Sequence, residues 1–317
     1  MTSKLADHRS LAERLQPRIA IEEHAARTGI PCRRHPLMNR TERLFLKPLL
    51  KLGLKASGLY PRGAANALQP VVRSLRLECP GLPAAFHGYR ILQISDLHID
   101  GVDGLAEIVA EKLAGIRADL CVLTGDYRFH NEGSCERVYP RLKRILSSIR
   151  AEQGIYAILG NHDASEIAFR LEEMGVSMLV NEAAPVCKKN ETIWLAGVDD
   201  PYDYRCDDLA AALDAIPPGG FKVLLAHTPA LYRTAAAAGV DLYLCGHTHA
   251  GQICFPLVGA LFHHVNAPRA HTGGYWHYGR MHGYTSAGAG SSGLPVRFNC
   301  PPEITLFELL VPAVPEI

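Results

Sequence analysis

Residues Arg90–His98 read RILQISDLH, a short apolar run, Arg90–Ser95 (RILQIS), followed by a carboxylate and, two residues on, an imidazole. Apolar runs of this length, closed by polar residues, suit strands covered on both faces of a sheet. Five further runs repeat the shape: Asp119–Thr124 (DLCVLT), Ile155–Leu159 (IYAIL), Thr192–Val198 (TIWLAGV), Phe221–Ala226 (FKVLLA) and Asp241–Cys245 (DLYLC). Between them, Leu105–Ile116, Tyr139–Ile149, Ser165–Met174 and Pro229–Ala238 have helical composition and spacing. Two more strands are expected around Gly283–Ala287 and Glu303–Leu310. Strands alternating with helices predict an α/β sheet protein.

The residues that follow these strands carry the chemistry. Asp96 and His98 follow the first run, Asp126 the second, Asn161 and His162 the third, His227 the fifth, and His247 and His249 the sixth. In open α/β sheets ligands bind beyond the carboxyl ends of the strands, so residues distant in sequence converge there. Asp96 and His98, like His247 and His249, are two positions apart and can face one centre, or neighbouring centres, from an extended segment. Four imidazoles, two carboxylates and one amide exceed what a single tetrahedral ion takes. A mixed N/O set suits Mn, Fe, Zn or Co better than Ca or Mg. Two ions bridged by a carboxylate such as Asp126 would activate a water for in-line attack on a phosphoester. Each residue alone has an ordinary reading as a turn, a cap or a hydrogen-bonded group. Metal-competent residues at five strand ends make coincidence a poor account of the set. Gly125, Gly160 and Gly246 each precede a candidate ligand at a sharp strand exit, where close approach of the chain matters.

The chain has 317 residues, 48% hydrophobic and 21% charged, a globular composition that excludes overall disorder. The net charge of +1 is a cancellation. Residues 1–63 hold thirteen Lys/Arg against five Asp/Glu, and residues 64–317 hold twenty against twenty-seven. The nine cysteines include no CxxC pair and no framework spacing, which fits free thiols in a reducing compartment. The charged N-terminus lacks the continuous apolar core of a signal peptide, so the expectation is a cytoplasmic, uncleaved chain.

Two regions are expected: a basic amphipathic N-terminal region, 1–65, and a catalytic domain, 66–317. In the first, Arg40, Arg43, Lys47, Lys51 and Lys55 recur every three or four residues, among Leu44, Phe45, Leu46, Leu49, Leu50, Leu52 and Leu54. Such a segment, over residues 40–57, is suited to an anionic membrane surface, its apolar side in the lipid boundary and its cations at the head groups. Packing of the same leucines on the catalytic domain is the alternative. Pro48 kinks or divides the helix unless it begins a second one. Its interleaved residues are leucines rather than stacking aromatics, which favours lipid over nucleic acid. Residues 256–284 are dense in rings, including Phe262, His263, His264, His271, Tyr275, Trp276, His277, Tyr278, His282 and Tyr284. They are suited to aromatic packing or to lining an acyl or sugar pocket.

SDLH at Ser95–His98, GD at Gly125–Asp126, GNHD at Gly160–Asp163, His227 and GHTH at Gly246–His249 resemble, in order, the five signature blocks of the calcineurin-like metallophosphoesterases. The resemblance spans about residues 88–310. It implies a four-layer sandwich, two packed mixed β-sheets flanked by helices. It further implies one divalent ion on Asp96, His98, Asp126 and His249, and a second on Asp126, Asn161, His227 and His247, with Mn the first expectation. His162 would act on the substrate phosphate or the leaving oxygen, with Asp163 orienting its ring. Pro80–Arg90 (PGLPAAFHGYR), Gly246–Ile253 and Leu294–Ile304 (LPVRFNCPPEI) resemble the small membrane-associated bacterial branch. That branch includes YkuE-like phosphoesterases and LpxG-like UDP-2,3-diacylglucosamine pyrophosphatases. Ala250, in place of a glycine after GHTH, and Tyr127–Asn131 (YRFHN) depart from its pattern, and Arg128 and His130 are candidate donors to a substrate phosphate. The implied function is a dinuclear-metal phosphoester or pyrophosphate hydrolase, peripheral on the inner face of the plasma (inner) membrane, acting in lipid A synthesis on a lipid-linked nucleotide sugar. The alternatives are a phosphodiesterase or phosphatase for soluble nucleotides and a non-catalytic binding module; intact candidate ligands argue against the last.

Overall fold

In the computed structural model, which describes residues 10–30, 47–260 and 265–313, the apolar runs become the middle of two six-stranded sheets. Residues 71–178 supply β1 (Val71–Glu78), β2 (Tyr89–Ile94), β3 (Leu120–Leu123), β4 (Ile155–Ala157) and β5 (Ser177–Met178). Residues 182–310 supply β6 (Glu182–Lys188), β7 (Glu191–Gly197), β8 (Phe221–Leu225), β9 (Leu242–Cys245), the short pair β10 (Cys254–Phe255) and β11 (Gly259–Ala260), then β12 (Gly274–Tyr278), β13 (Met281–Thr285) and β14 (Glu303–Leu310). The first sheet has the order β1-β14-β2-β3-β4-β5. Its strands β2 to β5 run parallel, while β14 is antiparallel to β2 and parallel to β1. The second has the order β12-β13-β9-β8-β7-β6, parallel from β13 to β7 with an antiparallel strand at each edge.

Strand alternation sorts the apolar residues into three layers. Leu120 and Val122 of β3 pack between the sheets with Val223, Leu225, Leu242 and Leu244. Cys121 and Leu123 turn the other way, onto Leu105, Val109 and Leu113 of the helix Leu105–Ala114 and Ile145 of the helix Tyr139–Ser148. Leu224 and Tyr243 face outward from the second sheet, among Ala212, Ala235 and Trp276. This is the expected arrangement of two packed mixed sheets flanked by helices. Each fully buried Leu or Val contributes about 1.5–3 kcal/mol, which is why runs this short suffice as strands.

Elements without a continuous apolar run escape the sequence reading. The edge strand β1 is largely exposed, and β6 buries only Val186 among half-buried and exposed positions. The helix Leu11–Thr28 buries only Leu11, Leu15 and Arg18, a narrow stripe in a charged sequence. Pro229–Ala238 divides into a single 3-10 turn, Pro229–Leu231, and the helix Tyr232–Ala237.

Of the basic amphipathic segment, Arg40, Arg43, Leu44, Phe45 and Leu46 lie outside the described residues. Its remainder is the helix Lys47–Ala56, with Pro48 in the first turn, where a proline is tolerated. This helix buries none of its residues, and Leu49 and Leu52 are 66% and 64% exposed. No helix among the described residues is long and apolar enough to cross a membrane. In the ring-rich segment, Phe262, His263 and His264 lie outside the described residues. His271 stacks on Trp276 with centroids 4.3 Å apart and meets Tyr232 edge-on, so these rings pack on the second sheet.

Candidate metal centre

The polar residues after β2, β3, β4, β8 and β9 meet at one end of the two sheets. His98 Nε2 lies 3.1 Å from His249 Nε2, and His249 Nε2 lies 3.5 Å from Asp96 Oδ1. A second group forms beside it. His227 Nε2 is 3.1 Å and His247 Nδ1 is 2.9 Å from the same atom, Asn161 Oδ1. Asp126 stands between the groups, with Oδ2 3.5 Å from His98 Nε2 and 3.3 Å from His227 Nε2. All seven candidate ligands are thus brought together.

The donor set fits divalent cations. Two ligand atoms bound near 2.1 Å to one ion and roughly at right angles are about 3.0 Å apart, close to the His98–His249 separation. Two imidazole nitrogens facing each other at that distance otherwise compete for one proton. The outward nitrogens support the same reading: His98 Nδ1 is 2.8 Å from Arg128 O and His227 Nδ1 is 2.8 Å from Thr124 O. Donation of the Nδ1 proton to a carbonyl fixes the tautomer and frees Nε2 as a ligand. Arg297 Nη2 approaches His249 Nδ1 to 3.1 Å, but its two protons have closer acceptors in Ala287 O and Gly290 O, so it does not dictate that ring's tautomer.

The local backbone is strained to make this convergence. Asp96, His98, Asp126, His247 and His249 all have φ between 40° and 70°, in the left-handed region. Each such residue costs roughly 1 kcal/mol or more, and strain of this kind clusters where structure is held for function. A Cβ on Gly246 would strike Ser95 Oγ and Asp96 Oδ2, and one on Gly160 would strike Asp126 Oδ1. These two glycines let the chain pass directly against the candidate ligands.

Electrostatics divide the histidines. Burial pushes His98 down to about 3, and burial with the neighbouring His98 and Arg297 holds His249 well below its usual value, so both rings are neutral. Burial would lower His227 too, but Asp126 and Asp96 raise it to about 10. Asp126 itself is pushed up to about 7 by burial, against the pull of His227. Without a cation the pair shares a proton that resides on the imidazole.

His162 sits at the mouth. Its backbone N–H donates to Asp126 Oδ1 at 2.8 Å, its Nδ1 is 2.8 Å from Phe129 O, and its Nε2 is 4.0 Å from Asp126 Oδ2. Two expectations need correction. Asp163 does not orient the His162 ring: its carboxylate accepts from the N–H groups of Asp126, Tyr127 and Gly160, each at 2.8 Å. Three backbone donors converge on that buried carboxylate, and the ring takes a carbonyl instead. Nor does Arg128 face the cleft. Its buried guanidinium donates to the carbonyls of His162, Gly133 and Asn131 and so organises the loop. His130, by contrast, is exposed on a cleft of about 710 Å³ that is also lined by Lys47, Lys51, Phe129 and His162.

Two contributors were missed in the sequence. Asp203 Oδ2 accepts from Asn161 Nδ2 at 3.0 Å, and the Tyr202 ring centroid lies 4.5 Å from that of His247. The signal was present: VDDPYDY at Val198–Tyr204 puts three carboxylates just after β7, at another strand end.

Residues 89–251 match the calcineurin-like phosphoesterase family. The chain is 31% identical over 231 residues to phosphodiesterase YaeI of Escherichia coli (strain K12), covering 70% of this chain and 82% of that one. It is 29% identical over 295 residues to the uncharacterized metallophosphoesterase YkuE of Bacillus subtilis (strain 168), covering 85% and 97%. It is 30% identical over 302 residues to the transmembrane protein with metallophosphoesterase domain of Bos taurus, of whose length it spans 65%.

Proposed function

The chain belongs to the calcineurin-like phosphoesterase family and is a metal-dependent phosphoester hydrolase, and we propose that it works with two divalent ions on a phosphodiester or diphosphate presented at a lipid surface. The observation that carries the two-ion reading is the position of Asp126 Oδ2, within 3.5 Å of a ligand nitrogen from each group. Asp96, His98, Asp126 and His249 would hold one ion, and Asp126, Asn161, His227 and His247 the other. When bound, such ions polarise the phosphoryl oxygens and lower the pKa of water.

The chain's own residues supply the rest. Lys47 and Lys51 line the cleft and offer positive donors to the substrate's phosphates, and His130 adds a ring nitrogen beside them. His162 donates Nδ1–H to Phe129 O, which aims Nε2 at the reacting centre. As water forms the new P–O bond and loses a proton to solvent, the bond to the leaving oxygen breaks, and a doubly protonated His162 ring would pass its Nε2 proton to that oxygen.

The lipid part rests on the helix Lys47–Ala56. It turns Lys47 and Lys51 toward the cleft while Leu49 and Leu52 stay exposed, so one short helix addresses both a membrane and the substrate. A UDP-2,3-diacylated sugar has the matching chemistry of acyl chains next to a diphosphate. YaeI is named a phosphodiesterase, which supports a phosphodiester as the bond cleaved; a diester among soluble nucleotides is the second reading. The deciding experiment incubates the Mn-loaded protein with the UDP-diacyl sugar, a cyclic nucleotide and bis(p-nitrophenyl) phosphate. UMP release from the first is expected; hydrolysis of only the other two rejects the lipid substrate, and hydrolysis of none rejects the enzyme. In parallel, flotation with anionic liposomes should be lost in the Leu49→Glu/Leu52→Glu variant, and unchanged flotation rejects the helix as the anchor.

A further inference from the structure

The helix Leu11–Thr28 lies outside the residues that match the family, yet it reaches the back of the candidate centre. It starts with a capping box, in which Ser10 Oγ accepts from Glu13 N and the Glu13 carboxylate accepts from Ser10 N, and it stops at Gly29 with φ 67°. Leu11, Leu15 and Arg18 are spaced to share one face, and all three are buried. Leu11 and Leu15 join the apolar cluster on the outer side of the first sheet.

Arg18 is completely buried, which is costly for a guanidinium unless its forked donors are matched. They are. Nη2 donates to Gly160 O at 2.6 Å, Nη1 lies 3.4 Å from both Gly160 O and Asp163 O, and Nε donates to Asp199 Oδ1 at 3.2 Å. The guanidinium carbon lies 3.7 Å over the Tyr204 ring. One turn along the helix, Glu22 accepts from Ser165 N at 2.8 Å and from the Tyr204 hydroxyl at 3.2 Å. The helix therefore grips the loop Gly160–Asp163 at both ends, and that loop carries Asn161 and His162.

We propose that Arg18 is a positioning residue, which holds Asn161 and His162 at the metal centre through the carbonyls of Gly160 and Asp163. This rests on the reading of Asn161 as a ligand. A lysine at this position is a point charge and cannot span both carbonyls and Asp199. The consequence is unequal: the ion held by Asp126, Asn161, His227 and His247 takes a ligand from the gripped loop itself and depends strongly on the N-terminal helix, whereas the ion held by Asp96, His98, Asp126 and His249 meets that loop only through the hydrogen bonds of Asp126 and depends on it far less.

The test compares the full-length wild type with Arg18→Lys, Arg18→Met and the double variant Arg18→Met/Asp199→Asn, which spares the fold an unpaired buried carboxylate. Circular dichroism and melting check folding, calorimetric titration with Mn²⁺ counts the ions, and the spin-coupled EPR signal of a Mn pair reports both sites together. The double variant is expected to fold, to bind one ion as the wild type does, and to bind the second about 10- to 100-fold more weakly. The paired EPR signal falls accordingly, and kcat falls more than KM changes. Arg18→Lys, which keeps the charge, is expected to be intermediate. Two ions bound with wild-type affinity by a folded double variant overturn the proposal, as does equal weakening of both ions. These outcomes are independent of the function assigned above: a wild type that hydrolyses nothing but loses its second ion on substitution of Arg18 leaves this inference standing, and an active wild type with indifferent variants leaves only the function.

Discussion

Asn161 and Asp203 are joined side chain to side chain, the amide Nδ2 donating to the carboxylate Oδ2 at 3.0 Å. That bond fixes which way the amide points, so Oδ1 is the atom offered to His227 and His247. Asp203→Asn is expected to weaken the preference for one amide orientation, because an amide can donate as well as accept, and Asp203→Ala to leave the amide unsupported. Either weakens the Asn161-dependent ion by about 10- to 100-fold, with little effect on the ion at Asp96 and His98. Calorimetric Mn²⁺ titration reads this directly, and two unchanged affinities would exclude an orienting role for Asp203.

Asp126→Asn should act on both ions. The carboxylate oxygen between His98 and His227 becomes an amide that keeps the size but not the charge. Turnover is expected to fall by more than about a hundredfold, and both calorimetric transitions to weaken, because a bridging ligand matters more than its supporting partners. Full activity with two ions bound would show that nothing bridges at this position.

Metal uptake should release protons. In the metal-free protein His227, raised to about 10 by Asp126 and Asp96 against its burial, carries a proton throughout the neutral range. A cation ligated by Nε2 must displace it, so binding is weaker at low pH and strengthens as pH rises toward about 10. For each proton displaced the apparent affinity rises about tenfold per pH unit. Calorimetry in buffers of different ionisation enthalpy gives the proton count, and a binding enthalpy that does not vary with the buffer would show that His227 is already neutral.

Lys47 and Lys51 were read from sequence as head-group contacts, yet both line the cleft with His130 and His162. Removing them together, as Lys47→Ala/Lys51→Ala, is expected to raise KM for an anionic substrate about tenfold or more while kcat changes little. The increase should shrink at high salt, where screening already weakens the wild type. A KM that stays constant places the substrate away from this helix.

How much of this was legible in the sequence depended on the kind of signal. The central strands carry uninterrupted apolar runs because they are covered on both faces, and their boundaries match to within about two residues. The seven candidate ligands were legible because each follows such a strand. Arg18 was not: nothing in a charged helical stretch says that one arginine of several is buried, since that depends on where a distant loop leaves its carbonyls. The same holds for Arg128 and Asp163. Their residue types suggest substrate contact and imidazole support, but local backbone donors and acceptors claim them first. The cleft face of the helix Lys47–Ala56 was hidden for a related reason, because periodicity defines a polar stripe without saying what the stripe faces.

Ala250 is a place where this chain carries a cost that its position does not require. It follows His249 with φ 48° and ψ 29°, and a glycine adopts that left-handed geometry without steric penalty. Its methyl faces Gly273, where a built Cβ would come within 2.8 Å of it. Ala250→Gly relieves roughly 1 kcal/mol of backbone strain, partly offset by the greater freedom of the unfolded glycine. The expected result is a melting temperature higher by about 2–4 °C for each kcal/mol that survives the offset. The candidate ligands are untouched, so metal stoichiometry should stay at the wild-type value. A lower melting temperature would mean that the alanine methyl makes packing contacts worth more than the strain, and would move the explanation for this residue from the backbone to the side chain.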